Sequence, residues 1–325
     1  MTTGVRYEIG YGKLRIPIYR VSATPLLGVT PIPESAFTGR ANALFALEVD
    51  VEVLGDDFLP AYTVGDNAMV VATDSMKNFV LRQALAYEGA TLEGLLAFLG
   101  RGFTETYVQL QSLRLTGREI PFLPARVPTG EGAFAESDVL FDHTRGDFAT
   151  ATLDLIAEGD DATVTAHRCG RVNLQLMKLT GSSFTSFVRD GYTTLPDRRD
   201  RPLYIFLDIY WRYTDIADLL ATDPVRYVPS EQVRDLVQTV FHRFVSESIQ
   251  HLVHEMGSRV LERFPQLAEI RFRAQNRTRD PFYESETDPR AKVYSDPFSA
   301  YGEISLRMTR SEGAEGAEGT ARTGD

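Results

Sequence analysis

Val70-Val71-Ala72-Thr73-Asp74-Ser75-Met76-Lys77-Asn78-Phe79 is the stretch around which the chain is organised. It is typical of a buried strand that runs directly into a helix, with Thr73 as the N-cap at the junction. Apolar residues recur at helical spacing and predict one buried helix face: Met76, Phe79, Val80, Ala84 and Tyr87. Such a corner directs a hydroxyl and free N–H groups to one point, which suits an anionic or polar reactant. An ordinary N-cap without further function is the alternative for this segment.

Composition argues against several classes of function. The 325-residue chain has a formal net charge of −11, so neither nucleic acid nor an anionic membrane surface is attracted overall. Its one cysteine, Cys169, permits no intramolecular disulfide and favours neither a cysteine-based zinc site nor an iron–sulfur cluster. No apolar run approaches the roughly 18 residues that span a bilayer, and residues 1–7 lack the shape of a signal peptide. We therefore expect a cytoplasmic protein.

The pattern of elements predicts an α+β fold. Strands are predicted at residues 7–19, 47–53, 107–115, 151–156, 162–167, 172–179, 203–213, 268–274 and 301–308. Helices are predicted from Thr73, over 91–103, after Pro229 and over 250–264. The repeat of strands, paired helices and strands indicates a duplication, with antiparallel sheets and the helices on one face.

The duplication predicts two domains, residues 1–145 and 146–308, followed by a disordered acidic tail at 309–325. Three prolines, Pro121, Pro124 and Pro128, are expected to mark a loop near the end of the first domain. The chain has neither a Gly-x-Gly-x-x-Gly loop nor a Walker loop, so we expect no nucleotide cofactor.

Single residues do not decide the chemistry. His251 and His254 share a helix face, but their spacing fits neither helical zinc-protease pattern, and a solvated helix face is the simpler interpretation. Cys169 is more typical of a buried structural thiol than of an activated one. Lys13 and Arg201, taken alone, are typical of ordinary surface residues.

Taken together, the motifs are similar to those of the urate oxidases, the cofactor-free uricases. The similarity extends from Tyr11 to Met308 and keeps the family's order. Its most specific parts are the stretch quoted above and the block Ser183-Phe184-Thr185-Ser186-Phe187-Val188-Arg189-Asp190-Gly191-Tyr192-Thr193-Thr194-Leu195, which resembles Phe-x-x-Phe-x-Arg-Asp-x-Tyr-Thr-Thr-Leu. Three shorter segments also resemble the family: Tyr11-Gly12-Lys13, Ser248-Ile249-Gln250 and Gln275-Asn276-Arg277-Thr278.

The resemblance implies a role for each matched residue. Lys13 matches the catalytic lysine, and Thr73 with its neighbour Asp74 matches the threonine of the proton relay. Phe184 matches the phenylalanine that stacks on the purine, and Arg201 matches by spacing the arginine that clamps urate.

Two further segments imply contacts to the purine edge and to dioxygen. Ile249 and Gln250 match a helix segment whose glutamine pairs with the purine edge, and Asn276 matches an asparagine that helps hold dioxygen or water above the ring. Thr278 replaces the relay histidine of many family members. A hydroxyl can pass a proton through water but cannot store one near neutral pH, so we expect Lys13 with Thr73 to form the catalytic pair.

The implied fold is two tandem tunnelling-fold (T-fold) domains. The implied reaction converts urate, dioxygen and water into 5-hydroxyisourate and hydrogen peroxide, without a metal or other cofactor. The implied assembly is a homotetramer with active sites between subunits. The chain lacks the Ser-Lys-Leu peroxisomal address of eukaryotic relatives, which favours a bacterial cytoplasmic form. Two alternatives stay open: another T-fold heterocycle enzyme of the pterin type, and a non-catalytic purine-binding paralogue.

Overall fold

A computed structural model of the protein describes residues 4–130, 132–144, 146–158, 161–278, 280–295 and 300–311. The strands are β1 (Gly10–Val21), β2 (Leu44–Leu54), β3 (Ser112–Glu119), β4 (Phe122–Gly130), β5 (Ala133–His143), β6 (Phe148–Glu158), β7 (Asp161–Lys178), β8 (Leu203–Tyr213), β9 (Leu267–Asn276), β10 (Tyr283–Glu284), β11 (Lys292–Val293) and β12 (Gly302–Thr309). The helices are α1 (Leu59–Thr63), α2 (Thr73–Ala86), α3 (Leu92–Thr106), α4 (Ile216–Leu220), α5 (Ser230–Arg243) and α6 (Ile249–Arg263), with a 3₁₀ turn at Pro224–Arg226.

Eight strands form one antiparallel sheet in the order β1-β2-β3-β6-β7-β8-β9-β12. The four long helices pack against this sheet, and their apolar faces share one core with it. β4 pairs with β5, and β10 pairs with β11, as separate two-stranded ribbons. The predicted α+β class, with antiparallel strands and paired helices, is confirmed.

The same order of elements occurs twice. β1, β2, α1, α2, α3, β3 and β6 form the first unit, and β7, β8, α4, α5, α6, β9 and β12 repeat it as the second unit. Each unit inserts a two-stranded ribbon between its last two strands. The division into domains at residues 145 and 146 stays a prediction, and this repeat favours a boundary one strand later, between β6 and β7.

β2 illustrates how the sequence positions the core. Val49, Val51 and Val53 are fully buried, as their alternation with acidic residues predicts. Glu48 and Glu52 alternate with them and lie on the opposite face, which is partly exposed, although Asp50 on that face is buried. The same alternation continues along β8, whose bounds match the prediction.

Each unit bends its first strand with a bulge at the same place. The β1–β2 register shifts between Lys13 and Ile16, and the β7–β8 register shifts between Arg171 and Leu174. Lys13 and Arg171 are therefore corresponding residues, each the last paired residue before its bulge.

Within each bulge one residue takes a left-handed backbone conformation. Arg15 has a φ of 56° and Asn173 a φ of 61°. Their N–H groups donate to an aspartate of the next strand, at 2.7 Å to Asp50 and at 2.9 Å to Asp208. These hydrogen bonds offset the strain of the positive φ and fix both bulges in the same geometry.

The stretch around Thr73 differs from its prediction in two ways. Val70 and Val71 lie outside any strand, because the Val71 N–H donates to the hydroxyl of Tyr11 at 2.8 Å instead of to a sheet partner. Ala72 occupies the N-cap position without a side-chain cap, so Thr73 is the first residue of α2 and not its N-cap.

Further segments also differ from their predictions, and β3 begins at Ser112 rather than at residue 107, because α3 extends to Thr106. Pro124 and Pro128 lie in β4 and not in a loop, since a strand of a two-stranded ribbon has a free edge that tolerates proline. Residues 162–167 and 172–179 belong almost entirely to one strand, β7, whose bulge interrupts the period-two pattern. The predicted tail at 309–325 begins inside β12, and residues 312–325 lie outside the described residues. In the described part of the chain, no helix combines the length and the apolar character of a membrane span.

Candidate functional site

Phe184 and Arg201 form the centre of a first cluster in the connection between β7 and β8. The Arg201 Cζ lies 5.3 Å from the centroid of the Phe184 ring, within the range of a cation–π contact. The Phe187 ring stacks on that of Phe184, with centroids 4.9 Å apart and planes 8° apart. The cluster therefore combines a flat apolar surface with a guanidinium beside it.

The Arg201 guanidinium is partly buried and incompletely paired. Its Nε is buried and has no hydrogen-bond partner among the described residues. Burial lowers the pKa of Arg201, and the charge of Asp280 only partly opposes this. The side chain keeps its charge at neutral pH because arginine is a very weak acid. A buried cation with an unused donor is costly, so this cluster suits an anionic ligand that accepts the missing bond.

Backbone hydrogen bonds connect this cluster to the start of α6. The Arg201 N–H donates to the Ser182 carbonyl at 2.9 Å, and the Ser183 N–H donates to the Ser246 carbonyl at 2.8 Å. Ser248 then caps α6, since its hydroxyl accepts the His251 N–H at 3.0 Å.

Ile249 and Gln250 are the first two residues of α6. Ile249 is buried, whereas Gln250 is exposed. The Gln250 amide lies at a helix N-terminus, where backbone N–H groups without intrahelical partners attract anions. This helix start can therefore present both an amide and N–H groups to a polar ligand.

Asn276 and Thr278 follow at the end of β9. Asn276 pairs with Ile205 of β8, four residues after Arg201. Its Oδ1 accepts the Thr278 N–H at 3.0 Å, which leaves the Nδ2 group to donate. The Thr278 hydroxyl oxygen accepts the Tyr204 N–H at 3.0 Å, which leaves its own hydrogen free to donate to a ligand or to water.

Lys13, Thr73 and Asp74 form a second cluster. Lys13 lies on β1, and Thr73 and Asp74 are the first two residues of α2. The Lys77 ammonium donates to Asp74 at 2.7 Å and lowers the pKa of this carboxyl, to which the charge of Lys13 also contributes. Among the described residues, no hydrogen bond joins Lys13 directly to Thr73. Proton transfer between Lys13 and Thr73 would therefore require a bridging water or ligand.

The two clusters lie far apart within one chain. Lys13 is on the edge strand β1, and Asn276 is on β9, six strands away in the sheet. Adjacent strands are about 4.8 Å apart, so this separation is roughly 29 Å. Lys13 also lies at the end of the sheet where β9 begins, whereas Asn276 lies where β9 ends. One chain therefore does not bring together all the residues that the sequence assigns to one site.

Two supporting residues of the first cluster escaped the sequence analysis. The Arg189 Cζ lies 4.7 Å from the centroid of the Phe187 ring, and the guanidinium pairs with Asp197 at 3.0 Å. Phe187 and Arg189 thus extend the stack that begins with Phe184. Both belong to the motif block quoted above, but spacing alone does not reveal which ring stacks on which.

Other features of the described residues lie apart from both clusters. A groove of about 850 Å³ crosses the sheet face opposite the helices, and several of the charges along it are paired, as Arg114 is with Asp154 at 2.7 Å. No three histidine, cysteine, aspartate or glutamate side chains in the described ranges lie close enough to hold a metal ion. His251 instead packs its ring edge-on against Phe244, with centroids 4.8 Å apart.

The fold and the two clusters define a T-fold protein with two units per chain and a divided polar site. A sequence profile of the uricase family matches residues 167–305. A uricase of Haloferax volcanii is 50% identical over 83% of this chain and 88% of its own length. A uricase of Halalkalicoccus jeotgali is 46% identical over 94% of this chain and 99% of its own length. The chain belongs to the uricase family.

Solved structures agree with this assignment. The urate oxidase from Bacillus sp. TB-90 superposes with a TM-score of 0.89 at 41% identity, over 93% of this chain and 100% of its own. A uricase from Bacillus fastidious gives a TM-score of 0.90 at 39% identity, over 94% of each chain. The whole repeated architecture is therefore shared with the family, including both units.

Proposed function

We propose that the protein oxidises urate with dioxygen and water, without a cofactor, at a site that a second copy of the chain completes. Membership of the uricase family makes the chain an oxidoreductase that acts on urate in purine catabolism. The observation that carries the site assignment is the half-buried, incompletely paired Arg201 guanidinium beside the flat Phe184 ring.

Substrate binding follows from the chemistry of the first cluster. Urate is a planar anion, so it stacks on Phe184 while Arg201 donates to it in the plane of the ring. Gln250 offers both an amide N–H and a carbonyl, which match the alternating donors and acceptors of the purine edge. The N–H groups at the start of α6 add a positive potential on the same side.

The second cluster supplies proton transfer. Lys13 and Thr73 remove a proton from bound urate, which makes the ring a better reductant. Urate then passes two electrons to dioxygen, and water supplies the hydroxyl oxygen of 5-hydroxyisourate. The released protons end in hydrogen peroxide, so the reaction balances without a metal or flavin. The Asn276 Nδ2 group and the Thr278 hydroxyl hold dioxygen or water above the ring.

Closure of the sheet into a barrel with a second copy supports a shared site. β1 and β12 are the edge strands, and each has one unpaired side among the described residues. Barrel strands tilt by about 40°, so each strand crossed shifts the register by roughly one residue, or roughly eight over the whole chain. β12 is 8 residues long. Without the shift, Lys13 of the second copy would lie near Met308, at the last residues of β12. With the shift it lies near Gly302, which pairs with Asn276 of β9.

We further propose a homotetramer made of two such barrels, because closed symmetric assemblies remove exposed sheet edges. Co-expression of Lys13→Ala and Arg201→Gln chains tests the shared site. Each variant alone is expected to be inactive, but random pairing restores an intact site in about a quarter of cases. Absence of any recovery in the mixed oligomers would place the site within one chain.

The reaction itself is tested by the ultraviolet absorbance of urate with purified, metal-stripped protein, in air and then under nitrogen. Loss of urate in air alone, with peroxide formed, is the expected result. Oxygen-independent loss, or loss restored only by added metal, would contradict the cofactor-free reaction. Binding without turnover would favour the pterin-type enzyme or the purine-binding paralogue.

The role of Lys13 is separable from binding. Lys13→Ala is expected to lower kcat about a hundredfold or more while urate still binds under nitrogen, because it removes a proton-transfer group. Unchanged turnover would exclude Lys13 from the mechanism. The cytoplasmic location also remains our proposal, and it suits a chain whose single cysteine, Cys169, is buried and unpaired.

A further inference from the structure

The two units also meet inside the chain, between β6 and β7. We infer that this junction is a closed counterpart of the proposed urate site, in which the chain's own side chains take the place of the ligand and lock the two units together. We call the proposed urate site the open site, and its identity rests on the proposed function. The closed junction rests on contacts within the chain alone. The closed junction consists of Arg40, Glu93, Glu119, Arg171, Ser230 and Glu231.

Strand register gives the first correspondences. Lys13 and Arg171 are the last paired residues before the bulges of β1 and β7. On the partner strands, Leu47 pairs with Glu119 at the end of β3, and Ile205 pairs with Asn276 at the end of β9. Arg171 thus takes the place of Lys13, and Glu119 takes the place of Asn276.

Helix starts give the next correspondences. Thr73 and Asp74 begin α2, and Ser230 and Glu231 begin α5, the first long helix of the second unit. The residue two positions before each helix donates its N–H to a tyrosine hydroxyl at 2.8 Å. Glu231 therefore takes the place of Asp74.

The second long helix of each unit shows the same equivalence. Thr91 caps α3 and Ser248 caps α6, and each hydroxyl accepts the N–H three residues later, at 3.1 Å and 3.0 Å. Glu93 and Gln250 are the second residues of these helices. Glu93 therefore takes the place of Gln250.

Arg40 corresponds to Arg201 in the loop between the first two strands of each unit. Its N–H donates across its loop to the Leu26 carbonyl at 3.0 Å, as that of Arg201 donates to Ser182. The Arg40 Cζ lies 5.7 Å from the Phe37 ring centroid, which parallels the contact of Arg201 with Phe184. Both arginines have a buried Nε without a partner among the described residues.

The corresponding residues come together at the closed junction. Arg40 pairs with Glu231 at 3.1 Å and with Glu119 at 3.5 Å. Arg171 pairs with Glu119 at 3.2 Å and donates to the Ser230 hydroxyl at 3.4 Å. Two of these contacts, Arg40 with Glu231 and Arg171 with Glu119, join the first unit to the second. The same arrangement between the second unit of one copy and the first unit of the next would join Arg201 and Asn276 to Lys13, Thr73 and Asp74.

Charge explains why one junction is closed and the other open. Glu93 and Glu119 are carboxylic acids at the positions that Gln250 and Asn276 occupy as neutral amides. Glu119 supplies negative charge to both arginines of the closed junction, Arg40 and Arg171, while the amides of the open site leave room for an anionic ligand. The remaining cavity between Arg40, Glu93 and Tyr227 is about 60 Å³, enough for a few water molecules but not for a purine. Each chain therefore binds one urate, although it contains two junctions.

A matched pair of substitutions tests this inference on the full-length protein. Glu231→Gln in the closed junction is expected to lower Tm by at least about 5 °C while KM and kcat stay within about twofold. Asp74→Asn, its counterpart in the open site, is expected to lower kcat/KM at least about fivefold with little change in Tm. Equal Tm for Glu231→Gln and the unaltered chain would overturn the lock, as would a loss of kcat/KM matching that of Asp74→Asn.

Arg40→Lys covers the case in which Glu231→Gln does not fold, since it keeps the charge and is expected to lower Tm by a smaller amount. Equilibrium binding of urate under nitrogen supplies a second measurement, with one urate per chain expected. Two urates per chain would overturn the closed counterpart. If the unaltered protein fails to oxidise urate, the proposed function fails, while the melting temperatures still decide whether the junction is a lock.

Discussion

The four long helices begin alike in pairs, α2 with α5 and α3 with α6, but the members of each pair differ in what surrounds their starts. Their second residues are Asp74, Glu93, Glu231 and Gln250. Glu93 and Glu231 are only 5% and 9% exposed, whereas Asp74 and Gln250 are exposed. The buried residues belong to α3 and α5, which face the junction between β6 and β7. The exposed residues belong to α2 and α6, which have no further unit of the same chain beside them.

Each buried acid is bound by a residue of the other unit. Tyr227 of the second unit donates to Glu93 at 3.0 Å, and Arg40 of the first unit pairs with Glu231 at 3.1 Å. The same helix start thus contacts the neighbouring unit where that unit is present, and under the proposed function it contacts the ligand where that unit is absent. A duplicated fold can in this way keep one junction for stability and leave the other for chemistry.

The largest expected effect separates the two arginines. Arg201→Gln is expected to lower kcat/KM about a hundredfold or more, because it removes charge-assisted bonds to an anionic substrate. Its Tm is expected to stay level or rise, since a half-buried and incompletely paired cation is lost. Arg40→Gln is expected to show the reverse pattern, a lower Tm with KM preserved. Steady-state kinetics and thermal melting of both variants check this.

Arg199→Gln is the control for loss of a positive charge near the open site, because Arg199 lies two residues away and is exposed. It is expected to match the unaltered protein. A similar fall in Tm for Arg201→Gln and Arg40→Gln would show that both arginines are structural. The proposed contrast between the open site and the closed junction would then be wrong.

A somewhat smaller effect, on urate binding, is expected when the open site receives the acidic residue that the closed junction has at the corresponding position. Gln250→Glu places a carboxylate where Glu93 stands in the first unit, and it repels the urate anion. We expect the Kd of urate under nitrogen to rise about tenfold to a hundredfold. Gln238→Glu, an equal change of charge within α5, is the control. If both variants bind urate alike, Gln250 does not contact the ligand.

A moderate effect is expected at the corner beside Asn276. Thr278→Val removes the hydroxyl and is expected to lower kcat about tenfold, while Thr278→Ser keeps the hydroxyl and stays within about twofold. The closed junction offers Pro121 at the matching place, two residues after Glu119, and so has no such donor. Equal kcat for the valine and serine variants would assign Thr278 only to its bond with Tyr204.

The sequence predicts the elements of this fold more reliably than their edges. The alternation along β8 predicts its bounds because one face of a central strand is fully buried. The prolines of β4 mislead because a ribbon with free edges tolerates a missing N–H. Thr73 misleads for a related reason, since the preceding Val71 bonds to a tyrosine hydroxyl and no strand feeds the helix.

The residues of the proposed site are predicted one by one only through the family motifs. Local pattern does not indicate that Arg201 has no ion-pair partner among the described residues while Arg40 has two, because both partners of Arg40 come from distant parts of the chain. It also does not indicate the correspondence of Lys13 with Arg171, which depends on strand register. Ion pairs between residues distant in the sequence therefore decide which of the two corresponding junctions is closed and which can hold a ligand.

The smallest expected effect concerns pH and the buried acid Glu93. Burial raises the pKa of Glu93 above its ordinary value of 4.5, so the folded state holds the proton more strongly than the unfolded state. Stability from this group is present below that ordinary value and is lost as pH rises through the folded-state pKa. Glu93→Gln removes this loss while its amide oxygen still accepts the Tyr227 hydroxyl. The Tm of the variant minus that of the unaltered protein is therefore expected to increase with pH, as melting curves at successive pH values would measure. A Tm difference that stays constant with pH would mean that Glu93 is held as a carboxylate. Glu93 would then resemble Asp74, whose pKa is lowered by Lys77. The buried and exposed helix starts would in that case differ in burial but not in charge.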